Sequence, residues 1–228
     1  MILFRQLFDP RTWTYTYVLA DPITRDAVII DPVLEQVERD LAVLAEMQVK
    51  VRYILETHVH ADHITGGGKL RHATGAQFVA GAGTQLDCAD VLVADGDVLV
   101  FGNEVIRALG TPGHTDGCTS YHWRNCLFTG DTLLIDACGR TDFQQGCSKK
   151  MYDSLQKLLA YPDETLVYPA HDYNGRHVSS VAQERGINPY VVGLDREAFE
   201  QKMRELNLPH PRFIDVAVPG NLKCGEVD

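Results

Sequence analysis

Short runs of apolar residues separated by polar turns recur along the chain, and they predict strands with helices between them. Residues 12–19 mix β-branched and aromatic side chains and predict a first strand, which 27–30 follows as a second. Asp31 and Pro32 predict a helix start, with Asp31 as the N-cap and Pro32 in the first helical position. The nearly continuous apolar run 51–55 predicts a strand that is covered on both faces.

The same alternation continues through most of the remaining chain. Further strands are predicted over 77–80, 98–101, 105–109, 119–123, 126–129 and 166–168, and further helices over 69–73, 148–159 and 196–206. Residues 208–228 are predicted to be a tail that prolines interrupt. Since repeats, low-complexity tracts and linker-like segments are absent, the pattern predicts a single α/β domain over residues 1–228.

Composition limits the partners and the location that the chain can have. A formal net charge of −10 without a basic block argues against a nucleic-acid partner. No apolar run approaches the roughly 18 residues of a membrane span, so no membrane association is expected. The six cysteines lack C-x-x-C spacing and are predicted to be reduced. We therefore expect a cytoplasmic protein, or one of the mitochondrial matrix in a eukaryote once a transit peptide is removed.

The segment directly after the run 51–55 is unusually rich in metal ligands. It contains three imidazoles and one carboxylate, those of His58, His60, Asp62 and His63. Residues two apart in an extended segment point the same way, so the first two imidazoles can converge on one ion. Imidazole ligands suit zinc, iron, copper and nickel. A polar loop with solvated histidines is the alternative, but four candidate ligands at this density favour a metal site.

Three later loops each offer one more ligand directly after a predicted strand. These ligands are His114, Asp131 and His171. Each alone is more often structural than functional. Together with the earlier histidines, at the ends of strands, they predict one metal site built from several loops.

The order of these residues resembles the metallo-β-lactamase superfamily. The H-x-H-x-D-H motif at 58–63, followed by His114, Asp131 and His171, carries the resemblance. It implies an α/β fold, the αββα four-layer sandwich of two face-to-face mixed sheets with helices outside. Lactamases proper carry a cysteine ligand where this chain offers Asp131, which points to the glyoxalase II side of the superfamily.

A narrower resemblance concerns the persulfide dioxygenases. Three segments carry it, and they are 138–146 (CGRTDFQQG), 168–173 (YPAHDY) and 217–225 (AVPGNLKCG). Val59 and Asp116 depart from the family pattern, but neither is a candidate ligand. The similarity runs nearly end to end.

Membership of that family would imply oxidation of glutathione persulfide by dioxygen and water to glutathione and sulfite. The reaction would use one non-haem Fe(2+) ion per chain. The resemblance makes His58, His114 and Asp131 the ligands, with support from His60, Asp62, His63 and His171. Two histidines and one carboxylate leave coordination positions open for reactants. Spacing alone does not choose these three ligands among the seven candidates.

A dinuclear hydrolase of glutathione thioesters, like glyoxalase II, is the alternative. Its relatives use the corresponding residues to bind two metals, so the ligand inventory does not separate the two functions. The motif at 140–146 favours the dioxygenase.

Substrate contacts are expected from residues near the second motif. Arg140 could pair with the glycyl carboxylate, Asp142 could accept from the γ-glutamyl ammonium, and Tyr173 offers a hydroxyl. Asn221 and Lys223 are weaker candidates. Glutathione persulfide and dioxygen are thus the expected partners, while a homodimer and a functional link to a sulfurtransferase are left open.

Overall fold

Two six-stranded mixed sheets form the centre of the computed structural model, which describes residues 3–226. The first sheet contains, in spatial order, Leu3–Asp9 (β1), Thr14–Ala20 (β2), Asp26–Ile30 (β3), Lys50–Leu55 (β4), Gln77–Gly81 (β5) and Val91–Val93 (β6). The second contains, also in spatial order, Val98–Phe101 (β7), Glu104–Gly110 (β8), Thr119–Trp123 (β9), Cys126–Gly130 (β10), Leu166–Pro169 (β11) and Ser179–Ser180 (β12).

Strand directions bring the ligand-bearing loops to one edge of the molecule. In the first sheet β1 to β3 are antiparallel, while β3 to β6 run parallel to one another. In the second sheet β10 and β11 are the parallel pair within an otherwise antiparallel arrangement. Parallel neighbours end at the same edge, so the loops after β10 and β11 are adjacent.

Helices cover the outer face of each sheet. Their bounds are Val37–Met47 (α1), Gly67–Thr74 (α2), Ser148–Leu159 (α3), Val181–Ile187 (α4), Arg196–Glu205 (α5) and Ile214–Asn221 (α6). The helices α1 and α2 pack on the first sheet, whereas α3 and α5 pack on the second. Within residues 3–226 no helix is both long and apolar enough to cross a bilayer.

The buried apolar residues form three clusters that lie between four layers of secondary structure. One cluster lies between the first sheet and its helices, and it contains Ile54 and Phe78. A second fills the space between the sheets and includes Tyr17 and Phe128. The third lies under α3 and α5 around Leu155. The predicted αββα sandwich is therefore confirmed, while the single domain over 1–228 stays a prediction.

The predicted role of Asp31 as a helix N-cap is wrong. Asp31 has a φ of 50°, and its carboxylate accepts from the backbone N–H and the hydroxyl of Thr57, at 2.7 and 2.8 Å. After Pro32 a 3₁₀ turn over Leu34–Gln36 intervenes, and α1 begins at Val37. The carboxylate of Asp31 accepts hydrogen bonds from the distant Thr57 and is therefore not available to cap a helix.

Several elements were missed, most of them short or atypical. The sequence pattern does not predict the strands β1, β6 and β12 or the helices α4 and α6. The first predicted strand begins at Thr14 because Trp13, with a φ of 61°, still belongs to the preceding turn. The predicted tail contains α6. Pro219 lies inside this helix, two residues before its end at Asn221. Residues 227 and 228 of that tail lie outside the described part of the chain.

The prediction that all cysteines are reduced is wrong for one pair. Cys88 and Cys224 form a disulfide across 136 residues of sequence. Neither their spacing nor any local motif indicates the pairing, because the fold alone brings the two segments together. Among the described residues Cys118, Cys126, Cys138 and Cys147 are free thiols.

Candidate metal centre

The seven candidate ligands converge at the edge where the ligand-bearing loops meet. Four lie in the loop after β4, and the other three follow β8, β10 and β11 (His58, His60, Asp62 and His63; His114, Asp131 and His171). The imidazole rings of His58 and His60 have centroids 4.0 Å apart, and those of His58 and His114 lie 5.0 Å apart. Residues from both sheets thus share one small volume.

His58, His114 and Asp131 form the first group of donors within this volume. Each offers one atom, and these atoms lie within 4.8 Å of one another. Nε2 of His114 lies 3.7 Å from Oδ2 of Asp131, too far for a hydrogen bond. Ligand atoms at about 2.1 Å from a common ion have separations of this size.

Hydrogen bonds determine which imidazole nitrogen faces the cavity in this group. Nδ1 of His58 lies 3.0 Å from the hydroxyl of Thr57, which itself donates to Asp31 and therefore accepts from the ring. Nδ1 of His114 lies 2.7 Å from the carbonyl oxygen of Arg140, which can only accept. Both rings thus carry their proton on Nδ1 and leave the Nε2 lone pair for a metal. Burial, then the nearby imidazoles, lowers the pKa of His58 well below its usual value.

Asp62, His63 and His171 lie on the other side of Asp131. Nδ1 of His171 donates to the carbonyl of Trp13 at 3.2 Å, and its Nε2 lies 3.6 Å from Asp131 and 3.7 Å from Asp62. Nδ1 of His63 donates to Asp62 at 2.9 Å. Although burial opposes it, the charges of His63 and His171 hold the pKa of Asp62 well below its usual range.

His60 differs from the other four imidazoles in the nitrogen that faces its nearest polar partners. In the other four this nitrogen is Nδ1, whereas in His60 it is Nε2. Its Nε2 lies 3.2 Å from Asp31 and 3.5 Å from Glu56, and all three residues are buried. Burial alone would lower the pKa of His60, but these carboxylates raise it well above its usual value. Sequence reasoning had missed Glu56, although a carboxylate at the end of a buried strand was a signal.

The donor set fits a metal ion. Nδ1 of His60, Nε2 of His63 and Oδ1 of Asp131 are buried without a hydrogen-bond partner. Buried polar atoms are rarely left unpaired, and a cation bound by Asp131 would satisfy its oxygen, whereas the two imidazole nitrogens belong to the neighbouring donor group of His60, Asp62 and His63. Oriented lone pairs from imidazoles, together with carboxylates, are the chemistry that non-haem iron and zinc require.

A cavity of about 630 Å³ opens in front of the first donor group. Its floor includes His58, His114 and Asp131. Its walls come from the loop between β1 and β2, the segment 137–140 and the loop between α5 and α6. The volume is within the range of sites that bind small molecules.

Two of the three residues predicted to contact the substrate, Arg140 and Asp142, form an ion pair with each other. The guanidinium of Arg140 donates from Nε and Nη2 to the two carboxylate oxygens of Asp142, at 2.6 and 2.7 Å. Nη1 donates to the carbonyl of Pro209 at 2.7 Å. Arg140 lines the cavity. Its pairing with a substrate carboxylate stays a prediction and would require an exchange of partners.

Tyr173 lies above the centre, with its ring nearly parallel to that of His171 at 6.0 Å. Burial of its phenol, then the charges of Asp131 and Asp62, raises the pKa of Tyr173, although the residue as a whole is 62% exposed. The hydroxyl therefore stays protonated and can donate. Cys138 also lines the cavity, but burial raises its pKa to about 12, so its thiol is not a nucleophile at neutral pH.

Comparison with known proteins identifies the family. The Metallo-beta-lactamase superfamily matches residues 14–171. The chain is 47% identical over 230 residues to a protein from Mus musculus named persulfide dioxygenase ETHE1, mitochondrial. That alignment covers 98% of this chain and 89% of the mouse protein.

Solved structures and hydrolase relatives agree with this placement. The crystal structure of ETHE1 from Myxococcus xanthus is 52% identical with a TM-score of 0.96, and the match covers 98% of this chain and 100% of that one. A hydroxyacylglutathione hydrolase from Cereibacter sphaeroides is only 32% identical, over 93% of this chain and 84% of its own. The glyoxalase II alternative is therefore not supported. The chain belongs to the metallo-β-lactamase superfamily and, within it, to the persulfide dioxygenase family.

Proposed function

We propose that this protein is a persulfide dioxygenase that oxidises glutathione persulfide with dioxygen and water to glutathione and sulfite. The observation that carries the proposal is the near full-length identity of 47% to an enzyme of that name. The convergence of His58, His114 and Asp131 supports it independently, because two histidines and one carboxylate are the ligand set of non-haem iron oxygenases.

We assign one ferrous ion per chain to these three residues. The ion would be held by Nε2 of His58, Nε2 of His114 and a carboxylate oxygen of Asp131. Both imidazole rings already carry their proton on Nδ1, so their Nε2 atoms are free to bind the ion. When bound, the ion would supply the redox chemistry with dioxygen. The protein orients the ligands through Thr57 and the Arg140 carbonyl, so little reorganisation accompanies metal binding.

The remaining four ligand-type residues support this site in the proposal. His171 keeps its Nδ1 proton on the carbonyl of Trp13 and presents Nε2 toward Asp131 and Asp62. His63 keeps its Nδ1 proton on Asp62. Asp62 is held ionised by its imidazole neighbours. His171 and Asp62 thus form a polar network beside Asp131, and His60 and His63 adjoin that network through Asp62.

Substrate binding is assigned to Arg140 and Tyr173, which line the cavity, and to Asp142, which is bonded to Arg140. The glycyl carboxylate of glutathione could exchange with Asp142 on the fork of Arg140, which would free Asp142 for the γ-glutamyl ammonium. The phenol of Tyr173 could donate to the sulfur end of the substrate near the metal ligands.

Oxygen uptake with glutathione persulfide tests the function. Protein purified without added metal is analysed for iron and then assayed for oxygen consumption and sulfite. We expect one iron per chain, and sulfite formed in step with the oxygen consumed. Zinc-loaded protein assayed with a glutathione thioester is the comparison. Thioester cleavage with two zincs per chain, and no oxygen uptake by the iron form, would overturn the proposal.

A further inference from the structure

The last described segment of the chain crosses directly over the turn that follows the metal-binding loop. We call residues 214–226, which are α6 and the turn after it, the C-terminal strap. The two backbones touch. A Cβ at Gly68 would lie 2.8 Å from the carbonyl oxygen of Cys224, and one at Gly225 would press against the carbonyl of Thr65. The strap is therefore packed against the loop without an intervening side chain.

Asn221 is the side chain by which the strap holds the loop. It is 3% exposed, and it faces inward rather than toward a substrate. Its Oδ1 accepts from the backbone N–H of Thr65 at 2.8 Å. Its Nδ2 donates to the carbonyl of His60 at 2.9 Å and to that of His63 at 2.8 Å. One amide thus satisfies three backbone groups in the segment that carries four of the seven candidate ligands.

The disulfide holds the strap itself. Cys224 follows Asn221 by three residues, is fully buried, and is bonded to the partly exposed Cys88 in the loop before β6. Arg71 of α2 adds a second attachment, because it donates to the carbonyl of Cys88 at 2.8 Å and pairs with Glu226. The covalent bond is the one attachment among these that a change of redox state can remove.

We propose that Asn221 is a positioning residue for the metal-binding loop and that the Cys88–Cys224 disulfide keeps it in place. Reduction of the disulfide then loosens the hold of Asn221 on the carbonyls of His60 and His63. The proposal concerns how the protein positions its own metal-binding residues. It does not depend on which reaction the loaded centre performs.

The redox step is an ordinary thiol–disulfide exchange with a low-molecular-weight thiol. The thiolate of that thiol attacks Sγ of Cys88, which is the more accessible sulfur, and releases the thiolate of Cys224. A second thiol attacks the mixed disulfide and releases Cys88. Two electrons and two protons enter the protein, and the small thiol leaves as its symmetrical disulfide.

Amide hydrogen exchange tests the proposal on the wild-type protein. The protein is reduced with dithiothreitol, alkylated and freed of reagent, and is then compared with the oxidised protein, each with and without zinc. The N–H of Thr65 donates directly to Asn221 and is the reporter, while the N–H of Thr57 donates to Asp31 and is the internal control. We expect exchange at Thr65 to become about tenfold faster and that at Thr57 to stay unchanged.

Variants separate the amide from the disulfide. Asn221→Asp keeps the acceptor for Thr65 but loses both donors, and Cys88→Ser removes the disulfide without alkylation. We expect both variants, loaded with cobalt, to show a shifted d–d absorption spectrum and to release cobalt to a chelator about tenfold faster than wild type. The matched controls are Asn125→Asp, in the turn between β9 and β10, and Cys126→Ser in β10.

The outcomes are decisive even if Asn221→Asp does not fold. Faster exchange confined to 214–226, with Thr65 unchanged on reduction, would overturn the proposal. So would cobalt spectra and release rates of Cys88→Ser equal to those of Cys126→Ser. Absence of oxygen uptake in the wild type would remove the proposed function, yet these exchange and cobalt readouts would still decide the role of Asn221.

Discussion

Nδ1 of His114 donates a 2.7 Å hydrogen bond to the carbonyl oxygen of Arg140. One residue earlier, the N–H of Gly139 donates to the carbonyl of Asp131 at 2.7 Å. The loop that carries the most specific family motif is thus bonded to two of the proposed metal ligands. The proposed substrate contact Arg140 and the orientation of two proposed ligands therefore depend on one short piece of backbone.

Gly139→Ala should damage the metal site while leaving the fold intact. A Cβ at this position would press on the carbonyl of Asp131 and would lie 3.1 Å from Cγ of His114. The loop would have to move, so we expect metal affinity to fall by about tenfold or more. Metal titration with circular dichroism as a fold check measures this. Gly186→Ala in α4, where a Cβ meets nothing within 4 Å, should bind metal as wild type does.

Asp131→Ala should lose iron and activity together. Asp131 is the only carboxylate in the proposed triad, and removal of its charge leaves two neutral imidazoles. Iron per chain and oxygen uptake are measured on the same preparation. A variant that kept its iron but lost activity would place Asp131 outside the ligand set.

His171→Ala should retain most of its iron. In the proposed division, His171 supports the site through Asp131 and Asp62, at 3.6 and 3.7 Å, and does not bind the ion. We expect iron content near that of wild type with reduced activity. Iron loss equal to that of Asp131→Ala would instead favour a dinuclear site.

Reduction of the disulfide should lower the free energy of unfolding by about 4 to 5 kcal/mol, because a cross-link over a long loop restricts the unfolded chain. Denaturant unfolding with and without dithiothreitol measures the difference. Cys88→Ser should unfold like the reduced wild type and should be insensitive to the reductant. A response of this variant to dithiothreitol would assign the effect to another cause.

Asp40→Asn should stabilise the protein at pH 8 but not at pH 4. Burial, against the opposing charge of Arg39, raises the pKa of Asp40 to about 6 from 3.8. A folded-state pKa above the unfolded value means that the folded state binds the proton more tightly. The associated stability is therefore complete below pH 4 and is lost as the pH rises from about 4 to 6.

Asparagine resembles the protonated acid, so the variant should gain about 2 kcal/mol at pH 8, and the gain should vanish near pH 4. Thermal unfolding across this pH range measures it. Glu38→Gln on the exposed face of the same helix is the control, and a gain independent of pH would contradict the assignment.

Local patterns were sufficient where an element depends on its own residues. The helix predicted over 148–159 is Ser148–Leu159, and the strands predicted over 98–101 and 105–109 correspond to β7 and β8. Local rules were wrong where a distant group competes for the same atoms. The carboxylate of Asp31 is the clearest case, because it caps no helix and instead holds Thr57.

By itself, the sequence determined the αββα architecture and a metal site at the ends of its strands. Periodicity predicted the α/β class, the motif at 58–63 predicted the metal, and the αββα arrangement is what the resemblance to the metallo-β-lactamase superfamily implied. Only the tertiary structure decided which imidazole nitrogen faces the site, that Arg140 pairs with Asp142, and that the strap holds the loop. These relationships join residues up to 161 positions apart, or depend on the acceptor that lies next to each ring. No local pattern can encode a contact that exists only after the sheets have packed.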